Sequence, residues 1–187
     1  MKGKKVGVTR RSAGEFYLGQ FLIAHGMALK DIIVVDLSPL ELIANIEAGK
    51  IDAIVIFDLH AYNIQQKLGN NIITWSAQGD QDTYILMYST DSFIREHPEI
   101  ILRFLRSTVQ AEKYVQKYPI ESQNLISKIL HYDIQYVRYM WSNFVFTHAL
   151  GQELLLRMEG QARWAIQNRL TSEKKYLIIL ILYILTV

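Results

Sequence analysis

Along the first half of the chain, short apolar runs alternate with longer stretches in which apolar positions recur every three or four residues. The short runs, Lys4–Thr9, Asp31–Asp36, Asp52–Phe57, Asn71–Trp75 and Thr83–Tyr88, predict β-strands. The periodic stretches, Ser12–His25, Pro39–Gly49 and Leu59–Leu68, predict helices between the first four of them. Such alternation argues for an α/β fold with a mostly parallel sheet, helices on its faces and right-handed crossovers. Two helix starts are marked by serine followed three residues later by glutamate. Ser12 with Glu15 and Ser38 with Glu41 read as capping boxes, the second with Pro39 at the first helical position. Gly49 and Gly69 stand where the second and third helices should stop.

From Asp91 onward the pattern is helical. Ile101, Phe104, Leu105, Thr108, Ala111 and Val115 fall on one face, and Leu154, Leu155, Met158, Ala162, Ala165 and Ile166 repeat the pattern. Each stripe is expected to be packed core rather than a cofactor box. The change of pattern near Tyr88–Asp91 marks a change of lobe.

Composition narrows the function classes. Half of the 187 residues are hydrophobic, enough for a packed core. The 20 basic and 18 acidic residues leave a net charge of +2, which by itself supports neither a nucleic-acid nor an anionic-membrane partner. With no cysteine there is no disulfide, thiolate zinc site or cysteine nucleophile. The N-terminal "MKGKKVGV" lacks the apolar stretch of a secretory signal, so the chain as written is expected to remain cytoplasmic. The C-terminal "YLIILILYILTV" is shorter than the roughly 20 apolar residues that span a bilayer. A buried strand, a core helix, partial membrane association and a tail foreign to the fold are all open readings of it.

No phosphate-binding loop, dinucleotide fingerprint or nucleophile elbow is present. The five histidines are dispersed, with no pair at helical i, i+4 spacing, and neither a metal nor a cofactor is expected. His97 reads as the residue before Pro98, which opens a helix. What remains is the set of strand-to-helix joints, because ligands of open α/β sheets sit beyond the carboxyl ends of strands. At the first joint, "GVTRRSAGEF", Ser12, Ala13 and Gly14 offer a hydroxyl and backbone donors, and Arg10 or Arg11 adds positive charge. The plainer alternative is that Ser12 only caps the helix and both arginines face water.

Three segments, "MKGKKVGVTRRSAGEFYLGQFL", "DIIVVDLSPLELIANIEAGKIDAIVIFDLHAY" and "YILMYSTDSFIREHPEIILRFLRS", resemble in order and spacing the substrate-binding proteins of ABC importers for aliphatic sulfonates, taurine, nitrate and thiamine-type pyrimidines. The resemblance runs from about Lys2 to about Leu170. It implies a type II periplasmic-binding-protein-like fold of two α/β lobes joined by crossing strands, with ligand held in the cleft. Residues 2–88 would form the second lobe, residues 89–170 a helical return segment of the first, and residues 171–187 an atypical apolar tail. The family is exported to the periplasm or lipid-anchored outside the cytoplasm, and its partner is an ABC permease. The resemblance places the start of this chain at the second lobe. A truncated form is therefore expected, with a reading-frame shift near Lys174 accounting for the tail and self-association through apolar faces left uncovered.

The resemblance also implies a ligand site and no covalent chemistry. Arg10, Arg11, Ser12, Ala13 and Gly14 would hold the ligand, and Phe57, Asp58 and Tyr62 would line the same lobe. Arg11 stands where the family usually has glycine, so it either clamps a sulfonate or blocks close approach. "FDLHAY" departs from the family's aromatic-Glu-Pro-Tyr stretch. Asp58 either meets a ligand amine or pyrimidine nitrogen, or caps the following helix. Two other readings compete: a thiamine-pyrimidine biosynthetic enzyme, in which His60 would be reactive, and a non-transporting remnant.

Overall fold

The computed structural model describes residues 1–79, 83–148 and 151–174. They divide into two compact units, one of residues 1–84 together with the segment from Gln152, the other of residues 85–151.

The first unit is built on a three-stranded parallel sheet. Its strands are β1 (Lys5–Val8), β2 (Ile33–Asp36) and β3 (Ala53–Ile54), in the order β2-β1-β3. Helices α1 (Ala13–Ala24), α2 (Pro39–Glu47) and α3 (Asp58–Leu68) follow the strands in turn. The first three of the five predicted strands and the three predicted helices between and after them are thus present, with shorter strands than expected. Alternation along β1 sets the two faces of the sheet. Val6 and Val8 pack with Leu18 and Leu22 of α1 and with Ile32, and Val34 and Val55 extend this layer. Gly7 points to the opposite face, where a Cβ would lie 2.6 Å from Leu42 Cδ2 and 2.8 Å from Ile51 Cδ1.

The helix boundaries follow local chemistry. Glu41 receives the Ser38 N–H at 2.8 Å and the Ser38 hydroxyl at 2.6 Å, so the second capping box forms. At the first start, Ser12 caps α1 but accepts from the Gly14 N–H, and Glu15 reaches the Arg11 N–H rather than that of Ser12. The box expected there is therefore not made. Gly49, just past α2, and Gly69, the C-cap of α3, both have positive φ, which a residue with Cβ adopts only at a cost.

Two predicted strands are absent. Residues 69–71 form a turn of 3-10 helix, residues 72–76 are irregular, and residues 83–88 pair with no strand among the described residues. Their apolar residues are largely exposed, Ile73 and Ile85 among them. A strand is stabilised by a neighbouring ladder, and among the described residues the sheet ends at β3 on that side. Instead, the start of the last segment docks through side chains. The Tyr17 and Thr83 hydroxyls lie 2.7 Å apart, Tyr84 donates to Glu153 at 3.3 Å, and the Arg157 guanidinium lies over the Tyr84 ring.

Helix α8 (Gln152–Gln167) completes this unit by packing on α1. Its stripe is buried as expected at Leu154 and Leu155, and Trp164 lies edge-on to Phe16 at 5.5 Å. The apolar tail after Lys174 lies outside the described residues.

The second unit is helical: α4 (Asp91–Glu96), α5 (Pro98–Lys117), α6 (Pro119–Leu130) and α7 (Ile134–Met140). His97 is the N-cap of α5 and Pro98 its first residue. The expected core stripe of α5 is not core, because the helix buries none of its residues and Phe104 and Leu105 are about half exposed. An amphipathic pattern states which face seeks cover, not whether cover exists. Buried residues of this unit cluster at Ser122, Tyr136, Val137 and Met140. Among the described residues, no helix is long and apolar enough to cross a membrane.

Three carboxyls are held below their usual range. The Lys5 N–H, then the Lys4 ammonium, lower Asp52. Ser38 lowers Glu41, and hydrogen bonding from the His148 ring lowers Glu112. A lowered pKa means that the unfolded chain binds more protons in this range, so stability rises with pH. Their contribution is expected to be complete above the ordinary carboxylate range and to fall away as pH drops through it and below. Urea midpoints measured from pH 7 down to pH 3 should decline, and Asp52→Asn should flatten part of the decline. An equal acid slope in wild type and variant would contradict the assignment to Asp52.

Candidate functional site

The strand order decides where a ligand can sit in the first unit. The crossover from β1 leads to β2 on one side, while β3 lies on the other side of β1. This is a topological switch point, where connections diverge and leave a crevice beyond the carboxyl ends of adjacent strands. The segments carrying all the predicted site residues follow these two strands. Arg10–Gly14 follows β1, and Phe57–Tyr62 follows β3. A Cβ on Gly14 would lie 3.5 Å from Val8 Cγ2 and 3.7 Å from Val55 Cγ1, so the start of α1 rests on the ends of both strands.

At the first joint the donors are mostly engaged within the chain. The Arg10 N–H donates to Asp36 at 3.0 Å and its Nε to Glu15 at 2.9 Å. The Arg11 N–H donates to the other Glu15 oxygen at 2.7 Å. Ser12 Oγ donates to the Thr9 carbonyl at 2.6 Å and accepts from the Gly14 N–H at 3.1 Å. Ala13 opens the helix and is exposed. Arg11 is exposed and has φ 56°, a left-handed conformation that glycine adopts without strain and arginine does not.

Glu15 is the residue that sequence reasoning misplaced. Read as an ordinary capping glutamate, it is fully buried, while its partner Arg10 retains 47% side-chain exposure. A buried carboxylate persists only when paired and hydrogen-bonded, and Glu15 is both. The available signal was the pair of arginines directly before the cap, which supplies a countercharge on the same turn.

At the second joint, Phe57 is the N-cap of α3, with no capping bond from its side chain, and is 69% exposed. Asp58 is the first residue of the helix rather than its cap, and its charge suits the positive helix end. Tyr62, one turn further along α3, is half-buried. His60 lies in the same first turn and is half-buried. Among the described residues no cluster of histidine, aspartate and glutamate could hold a metal ion.

Residues 1–122, that is 122 of 187, match the model of the family described as NMT1/THI5 like. The chain belongs to the NMT1/THI5-like family. A candidate binding protein of Brucella abortus is 25% identical over 137 residues, covering 71% of this chain and 43% of the relative. Among solved structures, the alkanesulfonate-binding protein SsuA of Xanthomonas axonopodis pv. citri, bound to MOPS, is similar with a TM-score of 0.73 and 18% identity. The alignment covers 92% of this chain and 60% of that one. The periplasmic aliphatic sulphonate binding protein SsuA of Escherichia coli is similar at a TM-score of 0.69 and 18% identity, over 92% of this chain and 60% of that protein. The NMT1/THI5-like chain therefore has an α/β, periplasmic-binding-protein-like fold and spans less than two thirds of the length of these relatives.

Proposed function

We propose that this chain is the solute-binding component of an ABC importer for a small organic ligand, of the aliphatic sulfonate, taurine, nitrate or pyrimidine class, and that it performs no covalent chemistry. The observation that carries the reading is the β1/β3 switch point, with the Arg10–Gly14 and Phe57–Tyr62 segments rising from adjacent strand ends. The family membership and the names of the solved relatives support the same class of activity. In this reading, Phe57 presents an exposed ring for stacking, Asp58 an acceptor for a ligand N–H, and Arg11 an exposed side-chain cation at the rim of the joint. Capture delivers the ligand to a membrane permease.

Titration calorimetry with taurine, short alkanesulfonates, nitrate and a hydroxymethylpyrimidine tests the proposal. Saturable heat is expected from one of these chemical classes. Phe57→Ala should weaken that binding at least tenfold while leaving the far-ultraviolet circular dichroism unchanged. Folded protein giving no heat with any of them would reject the reading.

The exposed apolar side chains of α5 favour a second reading, in which the chain associates with itself. Light scattering after size exclusion should then give a mass that rises with concentration. A constant monomer mass would exclude it.

A further inference from the structure

The β1–α1 joint has the parts of an oxyanion site, but one of its own side chains already occupies it. The Glu15 carboxylate is fully buried, with one oxygen on Arg10 Nε at 2.9 Å and the other on the Arg11 N–H at 2.7 Å. These are the fork and backbone donors that would grip the head group of a sulfonate or carboxylate ligand. The pairing also cancels the charge of Arg10 close to the strand end. We propose that Glu15 is a specificity-determining residue: a built-in anion that excludes free oxyanions from the Arg10–Arg11 donors and restricts the joint to ligands whose anionic group, if any, is bound elsewhere. The proposal rests on the solute-binding reading above and narrows its substrate class. It is specificity by exclusion, since a second anion beside Glu15 would meet a like charge and donors already engaged.

The geometry predicts chemical rescue. Glu15→Ala removes the carboxylate and leaves a carboxylate-sized space facing Arg10 Nε and the Arg11 N–H. Formate fits that space and restores both hydrogen bonds. Anything that binds only the folded state raises its melting temperature. Sodium formate is expected to raise the melting temperature of Glu15→Ala by about 2–4 °C or more over sodium chloride at equal ionic strength. Methanesulfonate, bulkier, should give a smaller rise, and wild type should respond no differently to formate than to chloride.

A Glu15→Ala chain that is unfolded in chloride and folds in formate also supports the proposal. Equal melting in both salts, or a chain unfolded in both, overturns it. A measurement on wild type is independent of the variant. The Arg11 amide signal in a proton–nitrogen correlation spectrum should stay fixed as formate is added, and a saturable shift would overturn the proposal. Binding of the ligand panel to wild type is scored separately. Rescue without panel binding defeats the solute-binding reading and the specificity role with it, whereas panel binding without rescue defeats this proposal alone.

Discussion

Trp164→Ala is expected to lower the free energy of unfolding by about 3–5 kcal/mol, the range for removing a buried tryptophan. The indole, 7% exposed, lies against α1 where that helix has no side chain. A Cβ at Gly19 would come within 2.7 Å of Trp164 Cζ2 and Nε1. Phe16 meets the same ring edge-on, with centroids 5.5 Å apart and planes at 90°. Removing the indole therefore leaves a cavity bounded by a bare helix backbone and an aromatic edge, which cannot collapse without moving α8. At this chain length each kcal/mol corresponds to about 2–4 °C in Tm, so the loss is easily read in a melt. The other two tryptophans are less buried, Trp75 exposed and Trp141 half-buried, so loss of Trp164 should also shift the mean tryptophan emission to longer wavelength. Gly19→Leu should produce much of the same loss from the opposite side. Combined with Trp164→Ala, it should cost less than the sum of the two, because both act on one contact. Strict additivity would show that the ring does not pack on Gly19.

Gly7→Val is the second large effect. Gly7 sits in β1, the middle strand, with β2 on one side and β3 on the other. The added Cβ would lie 2.6 Å from Leu42 Cδ2 and 2.8 Å from Ile51 Cδ1, closer than carbon atoms pack, and the two further methyl groups need space that α2 fills. Overpacking of this kind costs about 1–3 kcal/mol, and here it exceeds the modest gain in β-propensity. The urea midpoint should fall without a change in the denaturant slope. Gly7→Ala should lose less, since the opposing methyl groups are the ends of side chains and can turn aside. A Gly7→Val protein as stable as wild type would mean that α2 does not pack closely on the sheet.

These two contacts show where the sequence pattern stops being informative. The tight approach at Gly7 joins residues far apart in sequence, and nothing around Gly7 identifies Leu42 as its neighbour. The stripe on α8 announces an apolar face, but its match to the gap at Gly19 depends on a chain reversal spanning most of the molecule. Similar local patterns had different fates: the α8 stripe is buried at Leu154 and Leu155 and half-buried beyond them, whereas the α5 stripe buries no residue. The missing strands at 71–75 and 83–88 make the same point, since the apolar run is there and the ladder is not.

The candidate site divides along the same line. Its position was legible, because strand–turn–helix joints are written in short-range signals: an apolar run, a serine cap, a proline or a glycine. The strand order that makes β1 and β3 neighbours, and so brings the Arg10–Gly14 and Phe57–Tyr62 segments to one end of the sheet, was not. Nor was the occupant of the first joint. A glutamate three residues after a serine has the same local pattern at the surface as in the interior.

By itself, the sequence determined the β-α-β-α-β-α succession, the helix limits at Ser12, Ser38, Gly49 and Gly69, and the two arginines at the first joint. Each depends on hydrogen bonds and side-chain periodicity within a few residues. Only the tertiary structure decided that Glu15 is buried between Arg10 and the Arg11 N–H, that α8 closes on α1, and that α5 stays uncovered. Burial and pairing depend on which distant groups come within a few ångströms, and that proximity is a property of the folded chain.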